Sequence, residues 1–310
     1  MKPLGLGPGP EFDRIRAIIG RLGPDASGLG DDCAVIRIGA TNLLASIDCS
    51  IEGVHFRTDW LSPEEIGYRA TAAALSDLAA DGADPLGVLV TLGLPGDGKG
   101  ETGSDIMAGV GAACRANSAQ LLGGDLVRSE NLIVDVCVLG TTERPVRRSG
   151  ANAGDGVWVT GILGGAGSAL AGFQSGRTLD AQLRDRYAKP EPRIKAGQWL
   201  ASHGATAMID ISDGLVQDAG HVAAASGVAV AIQIERLPCW PGVSPVAAAA
   251  SGEEFELLVT LPAEFKDAAT FVKATGLPLT RIGSCDAGSG VRVTSNQQPV
   301  TVPSGFQHFA

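Results

Sequence analysis

The sequence predicts an α/β (α+β) chain in two domains, an N-terminal one over residues 1–143 and a C-terminal one over 144–310. Strand-like and helix-like stretches alternate along the whole chain, with some strands adjacent. A length of 310 residues suits two cores better than one. A polar, turn-rich stretch at about 144–155 separates two such alternations.

Phe12, Ile15, Ile18, Ile19 and Leu22 recur at helical spacing and predict a short amphipathic helix after a loose Pro/Gly-rich start. Ala34–Ile38 and Leu43–Ile47 read as strands. Ser62-Pro63-Glu64-Glu65 is a helix start, with a capping serine, proline at the first position and glutamate three after the cap. That helix runs to about Ala80, with Gly82 near its end. A strand at Leu86–Leu94, a helix near 104–116, the apolar run Gln120–Leu122 and a strand at Leu132–Leu139 complete the first half. In the second, strands are predicted at Val157–Thr160, Thr206–Ile209, Val228–Ile234, Phe255–Leu261 and Leu279–Gly283. Helices fall before His203, over 214–225 and near 263–274. Ala247–Ala250 is low in complexity and too brief to read.

The formal net charge is −10 and the pI about 4.9, which excludes nucleic acid as a partner. No apolar run nears the ~20 residues of a membrane span, and the first residues lack the apolar core of a secretory signal. The six cysteines, Cys33, Cys49, Cys114, Cys137, Cys239 and Cys285, form no C-x-x-C pair. Their scatter predicts buried, reduced thiols and a cytoplasmic protein. Glycine, at 43 residues, is about twice its common usage of ~7% and suits close approach of bare backbone to a ligand.

The chemistry-bearing signal is a set of aspartates near the ends of predicted elements. Asp31 and Asp32 precede a strand, and Asp48 follows one. Asp77 lies mid-helix, Asp125 ends Gly123-Gly124-Asp125, and Asp210 and Asp213 flank Ile211-Ser212 between a strand and a helix. Any one of them alone fits a cap or turn former. Together, beside glycines, they suit magnesium, which takes oxygen ligands and keeps several waters. Gly98-Lys99-Gly100-Glu101-Thr102-Gly103 matches a dinucleotide fingerprint, but it lies several residues beyond the strand end at Leu94, whereas that turn is tight. It reads as a solvent loop. Without Ser/Thr after Lys99 there is no P-loop either, so a nucleotide's charge must be met by metal.

The segments GLGDDCAVI, SIDCSIEGVHF, ALSDLAADGADP, LLGGD, RRSG, IDISDGL and GFQHF, in this order, resemble the thiamine-monophosphate kinase family, and the resemblance runs from about residue 11 to the C-terminus. That family belongs to the aminoimidazole-ribonucleotide synthetase and selenophosphate synthetase superfamily. A selenophosphate synthetase would need a reactive cysteine in its N-terminal Gly-rich segment, and residues 1–32 hold none. The resemblance implies a PurM-like fold in which the N-terminal sheets of two copies join as a dimer barrel. It implies ATP-dependent phosphorylation of thiamine monophosphate, with several Mg2+ ions. Asp32, Ser46, Ile47, Asp48, Asp77, Asp125, Asp210 and Asp213 match its metal positions. Gly124, Asp125, Arg148 and Ser212 match ATP contacts, and His55, Glu253 and Phe306 match substrate contacts.

The chain departs from the family pattern at Ile47 and Cys49, where threonine is usual, and at Asp81, where methionine is common. A ligand at Ile47 could only be its backbone carbonyl. Ser251-Gly252-Glu253-Glu254 varies the usual GGED. The acceptor is already an ionised phosphate, so no catalytic base beyond the metal cluster is expected. Residue type alone also allows His55 as a hydrogen-bonded turn histidine, Phe306 as tail packing, and Arg147-Arg148 as a solvated pair.

Overall fold

A computed structural model describes residues 5–96, 100–306 and 308–309. Gly98 and Lys99, the centre of the fingerprint-like loop, lie outside these residues.

The first half contains α1 (Pro10–Leu22), β1 (Ala34–Ile38), β2 (Thr41–Ile51), α2 (Pro63–Ala80), β3 (Asp84–Leu94), α3 (Thr102–Ala116), β4 (Gln120–Arg128) and β5 (Ile133–Thr142). Its five strands form one sheet in the order β1-β2-β5-β3-β4. All pairs are antiparallel except β3–β4, which α3 connects. The capping box at Ser62 and Glu65 forms as the sequence predicts. From there α2 runs as the central helix of the molecule, buried on most of its surface and packed against β2, β5, α3, α6 and β7. Gly67 and Gly109 let α2 and α3 cross closely, since a Cβ at either would lie 1.9 Å from a main-chain oxygen of the other helix. The opposite face of the sheet is open, with Ile47 and Leu126 each 66% exposed.

The second half contains β6 (Gly156–Thr160), α4 (Gly165–Gln174), α5 (Ala181–Ala188), α6 (Ile194–Ser202), β7 (Ala207–Asp210), α7 (Leu215–Ser226), β8 (Val228–Gln233), α8 (Pro245–Ala250), β9 (Leu257–Leu261), α9 (Ala268–Thr275), β10 (Leu279–Ala287), β11 (Gly290–Ser295) and β12 (Gln298–Pro299). Seven strands form a second sheet, β12-β11-β8-β10-β6-β9-β7, covered by the second hydrophobic core.

Several expectations need correction. The strand expected at Leu43–Ile47 runs on to Ile51, so Asp48 lies inside β2. There the ladder to β5 is continuous, and cross-strand pairing overrides the polar Asp48-Cys49-Ser50. Asp125 likewise sits inside β4, whose paired glycines hold positive φ values of 146° and 159° that other residues rarely adopt. The short alanine run becomes α8 because Ser244 caps it at Ala247 and Pro245 opens it. β11 and β12 carried no strong apolar run and were not predicted. Residues 5–9 are docked, with Gly7 donating to His221 Nδ1 at 3.1 Å. All six cysteines are free, but Cys49 is exposed, and Cys137 and Cys239 are only half-buried. No helix among the described residues is long and apolar enough to cross a membrane.

Candidate active site

Three separated stretches of chain bring carboxylates together beside the C-terminal half of α2. Asp32 comes from the turn before β1, Asp77 from α2, and Asp210 from the last position of β7. One oxygen of each lies within 4.8 Å of the others. Ser46 donates to Asp77, and Ser76 Oγ donates to Asp210 Oδ2 at 2.7 Å. Arg148 donates to Asp32 Oδ1 from Nη2 at 2.5 Å and from Nε at 3.2 Å. Asp32 Oδ2 is buried without a partner.

The electrostatics follow from this crowding. Burial, followed by the charges of Asp48, Asp210 and Asp32, holds the pKa of Asp77 well above the carboxylate range. Asp210 is pushed up to about 7, by burial first and then by Asp32. Asp48 is pushed up to about 6 by burial, with Asp135 and Asp32 contributing. Among the described residues only Arg148 forms an ion pair with this group. Hard oxygen donors from several elements, one of them buried and unpartnered, are a fit for a divalent cation such as magnesium.

The other sequence-predicted positions surround this triad without joining it. β1 pairs with β2 only as far as Ala45, so Ser46, Ile47 and Asp48 lie on a strand edge that β1 leaves open. Gly124 and Asp125 line a cavity of about 500 Å3 between β3, β4 and α3, with Leu92, Leu94, Met107 and Leu126 as its apolar wall. They also line a second cavity of about 300 Å3 with Ile47, Thr91, Asp135 and Cys137. Asp213 belongs to a different group, with Asp218 and His221. Its pKa is pushed up to about 6 by burial and the neighbouring Glu11.

Three neighbours of the site, Asp218, Ser76 and Asp135, were missed in the sequence, and Asp31 was noted there without a role. Asp31 is fully buried and accepts from Arg147 and from the Arg148 main-chain N–H at 2.9 Å, so it orients the arginine that meets Asp32. Asp218 Oδ2 accepts from the N–H groups of Ser212 and Gly214, at 3.1 Å each, and shapes the loop carrying Ser212 and Asp213. Ser76 and Asp135 complete the set. Asp31 was visible as half of an Asp-Asp pair, and Ser76 as the neighbour of Asp77. Nothing local marked Asp135 or Asp218.

The positions expected to contact substrate, Glu253 and Phe306, gather over the loop of residues 211–214. Glu253 has a left-handed φ of 58° and donates its N–H to the Ser212 carbonyl at 2.6 Å. Gly305 passes so close that a Cβ there would lie 1.7 Å from the Asp213 carbonyl, and Phe306 donates its N–H to the same oxygen at 3.2 Å. The Phe306 ring is 6.4 Å from that of His55, and His308 is 5.0 Å from His55. His55 Nδ1 accepts from the Ile51 N–H at 3.0 Å. Burial, with the charges of His308 and Arg69, lowers its pKa to about 4, so the ring is neutral near pH 7.

The AIR synthase related protein family is matched by its N-terminal domain over residues 30–142 and by its C-terminal domain over residues 152–296. The thiamine-monophosphate kinase of Salmonella typhimurium is 35% identical over 96% of each chain. That of Aquifex aeolicus is 34% identical over 91% of this chain and 92% of its own. The solved structure of AaThiL complexed with AMPPCP and TMP superposes with a TM-score of 0.86, at 32% identity, over 97% of each chain.

Proposed function

The chain belongs to the thiamine-monophosphate kinase family, and from that premise we infer that it transfers the γ-phosphoryl group of ATP to thiamine monophosphate, giving thiamine diphosphate and ADP. The observation that carries this reading is the convergence of Asp32, Asp77 and Asp210 beside a loop over which Glu253 and Phe306 close.

Asp32, Ser46, Asp48, Asp77, Asp125, Asp210, Asp213 and the Ile47 carbonyl would hold the magnesium ions. When bound, magnesium supplies the positive charge that offsets repulsion between two polyanions. The residues themselves position the reactants. Arg148, fixed by Asp31 and Asp32, presents its remaining N–H groups to the nucleotide, and Gly124 admits it against bare backbone. Ser212 stands on the loop between the two substrates. Phe306 faces the cationic thiazolium ring, and neutral His55 offers a hydrogen bond without adding charge. The acceptor phosphate is already ionised, so transfer is direct and in line, with no protein base.

The open face of the N-terminal sheet, with exposed Ile47, Leu121, Leu122 and Leu126, fits a second copy and supports a homodimer. Residues 1–143 then serve as the metal, nucleotide and dimerisation domain, and 144–310 as the second domain of a cytoplasmic enzyme. A monomer by sedimentation at micromolar concentration would reject the dimer. The function is tested by incubating the chain with Mg-ATP and either thiamine monophosphate or an aminoimidazole ribonucleotide precursor. Thiamine diphosphate and ADP are expected to form together only with the first. Turnover of the second alone would overturn the reading.

A further inference from the structure

Arg69 lies on the central helix α2, is only 5% exposed, and matches none of the motifs discussed above. Its guanidinium reaches three substrate-side elements at once. Nη2 pairs with Glu253 Oε1 at 2.5 Å. Nη1 donates to the main-chain oxygen of Tyr187 at the end of α5. The plane of the group lies over the Tyr187 ring, 3.7 Å from its centroid. The Tyr187 hydroxyl in turn donates to the main-chain oxygen of His55 at 3.0 Å. One buried cation thus links Glu253, in the second half of the chain, to His55, in the first.

We propose that Arg69 is a positioning residue for the acceptor, holding Glu253 and His55 in register across the seam between the two halves of the molecule. The proposal rests on the reading that these two residues face thiamine monophosphate. Backbone strain supports it. Glu253 at φ 58° and Phe255 at φ 51° both occupy the left-handed region, which side chains other than glycine adopt rarely and which persists only where surrounding contacts enforce it. The N–H groups of Glu253 and Phe255 tie the main chain to Ser212 and Ile211, while Arg69 fixes the direction of the Glu253 side chain. Lysine cannot replace this arrangement, because a single ammonium offers neither the planar fork nor the stacking surface. The guanidinium is too enclosed to touch the substrate itself, so its action is on its partners.

The test uses the full chain and reads the two substrates separately. Wild-type turnover of thiamine monophosphate is measured first; its absence would reject the functional reading and leave nothing for Arg69 to position. With wild-type activity in hand, Arg69→Lys is expected to raise the KM for thiamine monophosphate about tenfold, as misplacing a contact does, and the KM for ATP less than about twofold. Calorimetric titration with thiamine monophosphate should weaken by the same factor. Tyr187→Phe removes only the hydroxyl that reaches His55 and stays foldable; it is expected to raise the same KM about threefold. An unchanged KM for thiamine monophosphate in both variants, or equal rises for both substrates, would reduce Arg69 to a structural cation and overturn the proposal.

Discussion

Two of the groups of buried acids in this molecule are treated by the chain in opposite ways. Behind the substrate loop, Glu254 accepts from Arg186 at 2.9 Å, from the N–H groups of Gly164 and Ala166, and from Ser251. Glu256 takes both arms of Arg193, at 2.9 and 2.7 Å, and the Thr160 hydroxyl. At the front, Asp32, Asp77 and Asp210 share one arginine, and Asp32 keeps an unpartnered oxygen. Buried carboxylates that serve the fold are neutralised by the chain itself, because an unpaired buried charge is strongly destabilising. The front group has less of that compensation, as the proposed cation site would, although Asp81 is likewise buried with both carboxylate oxygens unpartnered.

The sharpest way to break the comparison is to remove one front carboxylate. Asp210→Asn is expected to lower kcat about 10^3-fold, the loss of several kcal/mol of charge stabilisation. The ligand-free protein should melt no lower than wild type, since a repelling charge is gone. Near-normal turnover, or a marked fall in thermal midpoint, would place Asp210 with the structural acids.

The mirror experiment acts on the rear network. Arg193→Met leaves Glu256 buried without its bidentate partner and should cost roughly 3–5 kcal/mol of stability. Chemical denaturation reads this as a lower midpoint, while the KM values of the surviving folded enzyme stay near wild type. A loss below 1 kcal/mol would mean that the two groups are not different in kind.

pH separates them more gently. Folded carboxylates with raised pKa values hold protons that the unfolded chain releases near pH 4, so stability is lost as pH rises from about 4 up to and through the folded values. Asp210, at about 7, has most of its share of that loss between pH 4 and 7 and the remainder just above, and the raised pKa of Asp77 adds to the fall. The buried histidines His55 and His221, lowered to about 4 and 3, oppose the trend up to about pH 7.5, until the unfolded histidines have released their protons. Each additional proton bound stabilises by about 1.4 kcal/mol per pH unit, but the histidines offset much of the remaining carboxylate effect, so the ligand-free chain should melt only slightly higher at pH 6.5 than at pH 8. Magnesium should raise the midpoint more at pH 8. A melting curve flat across this range would mean the front charges are already compensated.

The smallest effect concerns the uncharged rim of the front group. Phe306→Ala removes an aromatic face from a cationic ring, a contact of roughly 0.5–2 kcal/mol. The KM for thiamine monophosphate should rise about tenfold and that for ATP stay nearly constant. Equal rises in both would make Phe306 a packing residue of the tail.

Local signals carried much of the fold into the sequence. The box at Ser62–Glu65 and the apolar spacing of α1 need only neighbouring residues to act. The reading stopped short where pairing rather than propensity makes the strand, as at Asp48 in β2 and Asp125 in β4. For the candidate site, the motif order pointed to Asp32, Asp48, Asp77, Asp125, Asp210 and Asp213 as one set of carboxylates, and of these Asp32, Asp77 and Asp210 converge. It could not separate Asp213, which turns towards Asp218 and His221, because a loop between a strand and a helix can send neighbouring acids in different directions.

The sequence by itself determined most of the element types, the acidic net charge and the inventory of carboxylates. Those properties depend on residue type and short-range spacing. Only the tertiary structure decided which acids are left without cations, because that depends on where distant arginines come to lie. Arg148 meets Asp32 and Arg193 meets Glu256 across separations of 116 and 63 residues. The role inferred for Arg69 belongs to the same class: its partners Tyr187 and Glu253 become neighbours only after α2 is buried between the two halves of the chain.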